Sequence, residues 1–241
     1  MPRNFVALQV HDTDALILHQ TLLGESDVIL SLMTEQLGRV DAVARSARKS
    51  QKRFGGALEP IHTLRVKIEE RSGRDLLSLK EAQLKVPRRT ILRSLEGMEA
   101  AGRALSWLRH VAPARTREHE LYARTTSLLD ALDVEMHAGR SGLLLAEFGL
   151  QLMATTGFAL EFERCVRCDT PCPEGRSSFI DPVRGGLICQ KCGGGPFRIS
   201  GPARARFVLT GRGALDSLIE EDLALAMNVV TRSLSSHVGI D

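Results

Sequence analysis

Four cysteines in two closely spaced pairs are the residues best suited to chemistry in this 241-residue chain. The pairs are Cys165-Val-Arg-Cys168 and Cys189-Gln-Lys-Cys192, and residues 169–188 separate them. Each CxxC turn brings two thiolates to within about 4 Å, as tetrahedral Zn–S bonds of about 2.3 Å require. The spacing therefore predicts one structural zinc ion bound by all four sulfurs.

Other uses of these cysteines fit the surrounding sequence less well. A redox CxxC motif opens a helix after a strand, whereas both pairs lie in sequence rich in Gly and Pro. A catalytic zinc keeps one position for water, and four Cys ligands close the shell. The fifth cysteine, Cys172, is an alternative ligand to Cys168 but has no spacing partner, so we interpret it as a bystander. A metal-free loop is the remaining alternative.

The second feature is a basic segment at residues 38–54, which has six cations and one acid, Asp41. Such a segment can follow a phosphate backbone as a flexible loop and release its counterions. No base-reading motif is present, so we expect binding independent of sequence. A solvated surface loop is the alternative interpretation. With neighbouring cations included, the predicted DNA-binding residues are Arg39, Arg45, Arg48, Lys49, Lys52, Arg53, Arg65, Lys67, Arg88 and Arg89.

The spacing of the apolar residues predicts the elements that position these side chains. This spacing changes near Pro87. Before Pro87, short apolar runs alternate with turn signals, which predicts strands. These runs lie at residues 15–20, 28–33, 40–44, 64–68 and 76–79. Five short strands without long helices between them indicate a small β-barrel.

After Pro87 the apolar residues follow the helical period of 3.6. One predicted helix has Thr116 as its N-cap and apolar positions from Leu121 to Met136. A second is capped by Ser141 and is apolar almost all round, which predicts a central position in a bundle. The apolar residues of a C-terminal helix are Leu223, Met227, Val230 and Leu234.

The fold class that follows is α+β, with a small barrel before an all-helical domain. We expect the barrel domain at residues 1–85 and the helical domain at 86–241, with a four-cysteine zinc finger inserted at about 162–197. We expect Asp181-Pro182 and Gly185-Gly186 to form a hairpin turn between the two cysteine pairs.

Composition excludes several classes of protein. No run of 18 apolar residues and no secretory signal is present, so we expect a cytoplasmic protein. Aromatic residues make up only 4% of the chain, which disfavours a large base-stacking platform. Catalytic motifs such as HExxH and GxSxG are missing, so we do not expect an enzyme.

A series of short motifs resembles the RecO family of bacterial DNA recombination and repair mediators. The motifs occur in family order over nearly the whole chain: ALILH at 15–19, GESD at 24–27, GRV at 38–40, ARSARKS at 44–50, GGALEP at 55–60, TGF at 156–158 and EFERCVRC at 161–168. In one departure, Arg45-Ser46 stands where the family usually has Lys-Gly, which keeps the charge but loses a glycine. The tail at 235–241 matches only loosely.

The resemblance implies an N-terminal oligonucleotide-binding (OB) barrel and a helical C-terminal domain with a zinc finger. It also implies binding to single- and double-stranded DNA, annealing of complementary strands, and a place near the bacterial nucleoid. The implied partners are RecR and the tail of single-strand binding protein, which together help to load RecA; no small-molecule substrate is implied. The alternative is a zinc-ribbon protein-interaction adaptor, and a third hypothesis is an enzyme with CxxC redox chemistry.

Overall fold

The computed structural model describes residues 8–55, 57–71, 73, 75–134 and 139–239, apart from the side chain of Gln51. The chain divides into two compact units, Met1–Asp133 and Val134–Asp241. Within the described part of the chain, no helix is both long and apolar enough to cross a bilayer.

The first unit contains a β-barrel and two long helices. Its elements in chain order are β1 (Leu8–Leu23), β2 (Asp27–Thr34), β3 (Gly38–Ala44), α1 (Gln51–Phe54), β4 (Thr63–Arg71), β5 (Leu77–Val86), a 3-10 turn (Ile91–Arg93), α2 (Leu95–Val111) and α3 (His119–Leu132). All five predicted strands are confirmed, although β1 and β5 extend well beyond their apolar runs.

The strands close into a barrel in the order β1-β2-β3-β5-β4. The long strand β1 makes closure possible because its first half pairs with β4 and its second half with β2. The register with β2 shifts between Ile17 and His19, just after the pairing with β4 ends at Leu16. A parallel contact between β3 and β5, from Ala42–Leu77 to Ala44–Leu79, completes the ring.

Alternating apolar residues fill the barrel interior. On β4, Leu64, Val66 and Ile68 are buried, whereas Arg65 between them is exposed, as the alternation predicts. The aromatic ring of Phe54, on the one-turn helix α1, belongs to the same core. The basic segment therefore does not leave the barrel as an irregular flexible loop, because Phe54 anchors its far end.

Helix α3 has the predicted apolar face but a different start. Leu121, Thr125 and Leu128 are buried, while Met136 lies outside the described residues. The prediction of Thr116 as the N-cap is wrong, because the helix begins at His119. Helix α2 was missed on the sequence, and it begins where the Ser94 hydroxyl accepts the Gly97 N–H at 3.1 Å.

The second unit combines three helices with a small sheet. Its elements are α4 (Ser141–Thr155), β6 (Glu161–Cys165), β7 (Ser178–Asp181), β8 (Gly186–Ile188), a 3-10 turn (Gln190–Cys192), β9 (Phe197–Ile199), α5 (Gly201–Gly211), a 3-10 turn (Glu220–Asp222) and α6 (Leu223–Val238). The sheet, in the order β6-β8-β7-β9, lies in the segment where the sequence predicts the inserted zinc finger, and the other elements of the unit are helical.

Helix α4 is the centre of this unit. It packs against both α5 and α6, and its buried residues surround it, as the all-round apolar pattern predicts. Buried Glu147 accepts the backbone N–H groups of Asp216 and Leu218 at 3.2 and 2.9 Å. Ser141 is the first residue of the helix and makes no side-chain cap, so the predicted capping is wrong.

The domain boundary near Pro87 stays a prediction. Strand β5 ends at Val86, where the sequence period changes, but the first compact unit continues through α2 and α3 to Asp133. Helix α2 packs on β1 and α3 packs on α2, so both helices belong with the barrel.

Candidate metal centre and basic surface

The four predicted ligands converge on one point. The sulfurs of Cys165, Cys168, Cys189 and Cys192 all lie within 4.8 Å of one another, and those of Cys168 and Cys189 are 3.7 Å apart. Four tetrahedral Zn–S bonds of about 2.3 Å place sulfurs about 3.8 Å apart. The cluster can therefore hold a metal ion.

Parallel pairing of β6 with β8 brings the two cysteine pairs together. The Val166 N–H, inside the first cysteine turn, donates to the Leu187 carbonyl on β8 at 2.8 Å. In the second turn, Gly193 and Gly194 have φ of +100° and +68°, which only glycine adopts without strain. The Gly194 N–H returns to the Cys189 carbonyl at 3.1 Å.

Local hydrogen bonds stabilise thiolates in the cluster. Burial opposes ionisation of Cys165, but backbone N–H groups, foremost that of Cys189, donate to its sulfur and lower its pKa to about 6. The Thr170 hydroxyl lowers the pKa of Cys168. Hydrogen bonds to the sulfurs of Cys168 and Cys189 raise the pKa of Cys192 to about 12. A metal cation that displaces the thiol protons of the cluster would bind the thiolates that metal ligation needs.

The cysteine-containing sheet is also attached to the helices through Arg204, a residue that sequence reasoning missed. Arg204 lies on α5 and is 6% exposed. Its guanidinium donates to the backbone carbonyls of Phe162, Cys172 and Pro173 at 2.6 to 3.0 Å. On α6, Ser233 donates to the Pro182 carbonyl at 3.2 Å. Arg204 and Ser233 therefore attach this sheet to the helices, whereas the four cysteines all belong to the sheet segment itself.

Cys172 lies outside the sulfur cluster. Its thiol is 4.0 Å from the Arg176 carbonyl, and its backbone N–H donates to the Glu163 backbone carbonyl at 2.8 Å. The group that can hold a metal in the described residues contains the other four cysteines.

The basic segment forms a hydrogen-bonded turn after β3. The Arg48 backbone N–H donates to the Ser26 carbonyl at 3.2 Å, and the Arg53 guanidinium donates to the Arg45 carbonyl at 2.8 Å. The side chains of Arg45, Arg48, Lys49 and Lys52 are exposed, and Arg53 is half-buried. The structure thus brings five of the predicted cations together; we call residues 45–53 the basic turn.

Arg39 is separate from the basic turn. It lies at the start of β3, about 20 Å from Arg45 at about 3.3 Å per residue. Its Nε donates to the Ala112 carbonyl at 2.8 Å, and its own carbonyl accepts the Arg115 N–H at 2.8 Å. Half-buried Arg39 therefore ties β3 to the segment between α2 and α3.

Arg65 and Lys67 lie on the outer face of β4 and pair with carboxylates. Arg65 forms ion pairs with Asp12 and Asp14, and Lys67 lies 3.6 Å from Glu81. This surface has mixed charge, so it does not extend the basic turn as a patch of one sign.

Arg88 and Arg89 have opposite environments. Arg88 is 2% exposed, and its guanidinium bonds Asp130, the Ile61 carbonyl and Thr63 at 2.7 to 3.0 Å. The buried guanidinium of Arg88 is not accessible to DNA at the surface, which corrects the prediction that it binds phosphate. Arg89 is exposed.

These features define a two-part α+β protein, in which a closed five-stranded barrel carries a basic turn and a helical unit carries a four-cysteine finger. The chain belongs to the RecO family of DNA repair proteins: it matches the family descriptions "Recombination protein O N terminal" over residues 8–88 and "Recombination protein O C terminal" over residues 93–240.

Individual relatives agree with the family match. The chain is 34% identical over 226 residues to the DNA repair protein RecO of Anaeromyxobacter sp. (strain K), with 90% of this chain and 87% of the relative covered. It is 34% identical over 186 residues to the DNA repair protein RecO of Myxococcus xanthus, with 77% and 74% covered. For that of Nocardioides sp. the identity is 33% over 181 residues, with 74% and 72% covered.

Proposed function

We propose that this chain is a non-enzymatic recombination mediator that binds single- and double-stranded DNA and anneals complementary strands. The observation that carries the proposal is the basic turn, where Arg45, Arg48, Lys49 and Lys52 are exposed side by side. Among the described residues, none of these four side chains forms an ion pair. Unpaired cations on an ordered turn can bind phosphates without first losing a carboxylate partner.

The barrel supports the same function. A five-stranded barrel in the order β1-β2-β3-β5-β4, with a short helix between β3 and β4, has the strand order of an OB-fold. OB-folds are five-stranded Greek-key barrels that bind oligonucleotides. We therefore assign the first unit as an OB-type DNA-binding domain, with residues 8–86 as its barrel.

We assign zinc to the four-cysteine cluster, in a structural role. Tetrahedral thiolate sites favour zinc, and four protein ligands leave no position for a reactive water. Zinc there would hold the two cysteine turns together at the end of β6 and β8.

The proposed partners follow from membership of the family. They are RecR and the tail of single-strand binding protein, with RecA loaded onto the strand as the result. The proposed location is the bacterial cytoplasm, at the nucleoid. This function needs DNA binding and protein contacts but no catalytic residue.

Fluorescence anisotropy with a labelled single-stranded oligonucleotide tests the proposal. If about six phosphates are contacted, the logarithm of the binding constant should fall with the logarithm of salt concentration with a slope near −4. Replacing Arg45, Arg48, Lys49 and Lys52 with Glu should abolish binding and the annealing of complementary strands. Circular dichroism and bound zinc should stay unchanged in this variant.

A pair of matched double variants controls for net charge. Arg48→Glu with Lys49→Glu should weaken binding strongly, whereas Arg93→Glu with Arg117→Glu, at exposed positions outside the turn, should weaken it little at 150 mM salt, where screening acts over about 8 Å. Wild-type affinity in the quadruple variant would refute the assignment of the turn. Wild-type protein that captures protein partners but shows no salt-sensitive DNA binding would favour the adaptor.

A further inference from the structure

The outer surface of the barrel is not equally open on all sides. The outward residues of β2 include Ser31 and Met33, and both are buried although they alternate with the core residues Leu30 and Leu32. A strand of DNA therefore has no access to the outer face of β2 at these positions. One accessible face lies on β3, β5 and β4.

A groove of about 590 Å³ runs along that accessible face. Val43 on β3 is nearly buried and contributes an apolar floor, and Leu76 beside β5 is 41% exposed. The groove exists because β3 and β5 pair in parallel, which places residues distant in sequence at one level. The charged residues that line it are Arg45, Glu69, Arg71, Asp75 and Lys80.

The cations of this groove continue from the basic turn. Arg45 belongs to both the basic turn and the groove. It follows Ala44, which pairs with Leu79, so Arg45 lies opposite Lys80. Arg71 lies two residues beyond Glu69, which pairs with Ser78, so it is further along the groove, toward Leu76. Arg71 lies opposite Leu76, which is four residues from Lys80, so the two positions are about 13 Å apart along the strand.

The charges of the groove differ in availability. Arg45 and Arg71 are exposed, and the described residues include no carboxylate paired with either guanidinium. Lys80 forms an ion pair with Glu69 at 2.9 Å. Arg71 and Lys80 were not among the DNA-binding residues predicted from the sequence. The predicted Arg65 and Lys67 instead form ion pairs with carboxylates.

We propose that single-stranded DNA leaves the basic turn along this groove on β3, β5 and β4, with Arg45 and Arg71 as phosphate-binding residues. Lys80 is a conditional contact because Glu69 competes with DNA for its ammonium group. Bases lie against the exposed apolar side chain of Leu76. This inference rests on the proposed DNA-binding function and specifies the path of the strand.

Substitutions with opposite expected effects test the path. Arg71→Glu should weaken binding of a labelled single-stranded oligonucleotide about tenfold and make the salt slope less negative by about 0.7, the loss of one phosphate contact. Arg71→Lys should restore most of the affinity. Glu69→Gln, which releases Lys80 and keeps the shape of the side chain, should strengthen binding about threefold. A purely structural role for these residues would not produce an increase.

Arg93→Glu is the matched control, since Arg93 is exposed and lies outside both the groove and the turn. If Arg71→Glu and Glu69→Gln bind like this control while the quadruple turn variant loses DNA, the groove path is wrong and the proposed function stands. If wild-type protein shows no salt-sensitive binding, both fail.

Discussion

The carboxylate of Asp27 accepts the backbone N–H of Ser46 at 2.8 Å and holds the first residues of the basic turn. Ser46 has φ of +53°, in the left-handed region that favours glycine. The Asp27 hydrogen bond therefore supports a conformation that the side chain of Ser46 disfavours.

We expect Asp27→Ala to lower the free energy of unfolding of the first unit by about 1–2 kcal/mol, since it removes a charge-assisted hydrogen bond. Ser46→Gly should be neutral or stabilise by up to about 0.5 kcal/mol, because relief of the left-handed conformation is partly offset by the entropy of glycine in the unfolded chain. Urea unfolding followed by the fluorescence of Trp107, the one Trp of the chain, measures both changes. Marked destabilisation by Ser46→Gly would contradict this account of the turn.

Arg88 should act on stability rather than on DNA. Arg88→Ala leaves the Ile61 carbonyl and Thr63 without their buried donor and should destabilise the first unit by about 3 kcal/mol. Arg89→Ala, at the exposed neighbouring position, should change stability by less than about 0.5 kcal/mol. The same Trp107 unfolding assay compares the two, and equal midpoints would show that the buried contacts of Arg88 contribute nothing.

Stability of the first unit should depend on pH through His62. His62 is buried, and its Nδ1 accepts the Arg88 backbone N–H at 3.1 Å. Burial lowers its pKa below the ordinary 6.5. Below pH 6.5 the unfolded chain therefore binds the proton more readily than the folded chain, so the stabilisation present above this pH is lost as the pH falls.

The slope from this one group is at most about 1.4 kcal/mol per pH unit. His62→Asn, whose amide oxygen can replace Nδ1 as the acceptor, should flatten the profile between pH 6.5 and 5. His19→Asn, at an exposed position, should leave it unchanged. An unaltered profile for His62→Asn would assign the acid sensitivity to another group.

Metal removal should loosen the two cysteine turns before the rest of the finger. A chelator should increase hydrogen exchange and proteolysis at residues 165–170 and 189–194, because metal bonds hold these turns together. Elemental analysis should find one zinc per chain, and Cys172→Ser should retain it, whereas Cys168→Ser should lose it or bind it weakly. Unchanged protease resistance after verified metal loss would contradict the structural role of the site.

Arg204 should hold the remainder of the finger independently of the metal. Arg204→Met removes the donor to three backbone carbonyls, and chelation of this variant should loosen all of residues 162–199. Arg198→Met, an exposed position on β9, is the matched control and should respond to chelation as wild type does. The same exchange pattern in both variants would show that Arg204 does not anchor the sheet.

The sequence alone determined the features that depend on local spacing. Two CxxC pairs identified the four sulfurs that converge, because the geometry of a CxxC turn depends only on its own four residues. Short apolar runs between turn signals predicted the five strands, and the apolar surface of α4 predicted its central position. Helices α2 and α5 were missed because their apolar residues are sparse or small, as in Ala100, Ala101 and Ala104 of α2.

Only the tertiary structure decided which cations are available to DNA. Arg88 and Arg89 are neighbours with the same side chain, but contacts with residues 25 to 42 positions away bury only Arg88. Arg45 and Lys80 reach one level only through the parallel contact of β3 with β5. Burial and ion pairing depend on chain segments that meet after folding, and no local spacing encodes them.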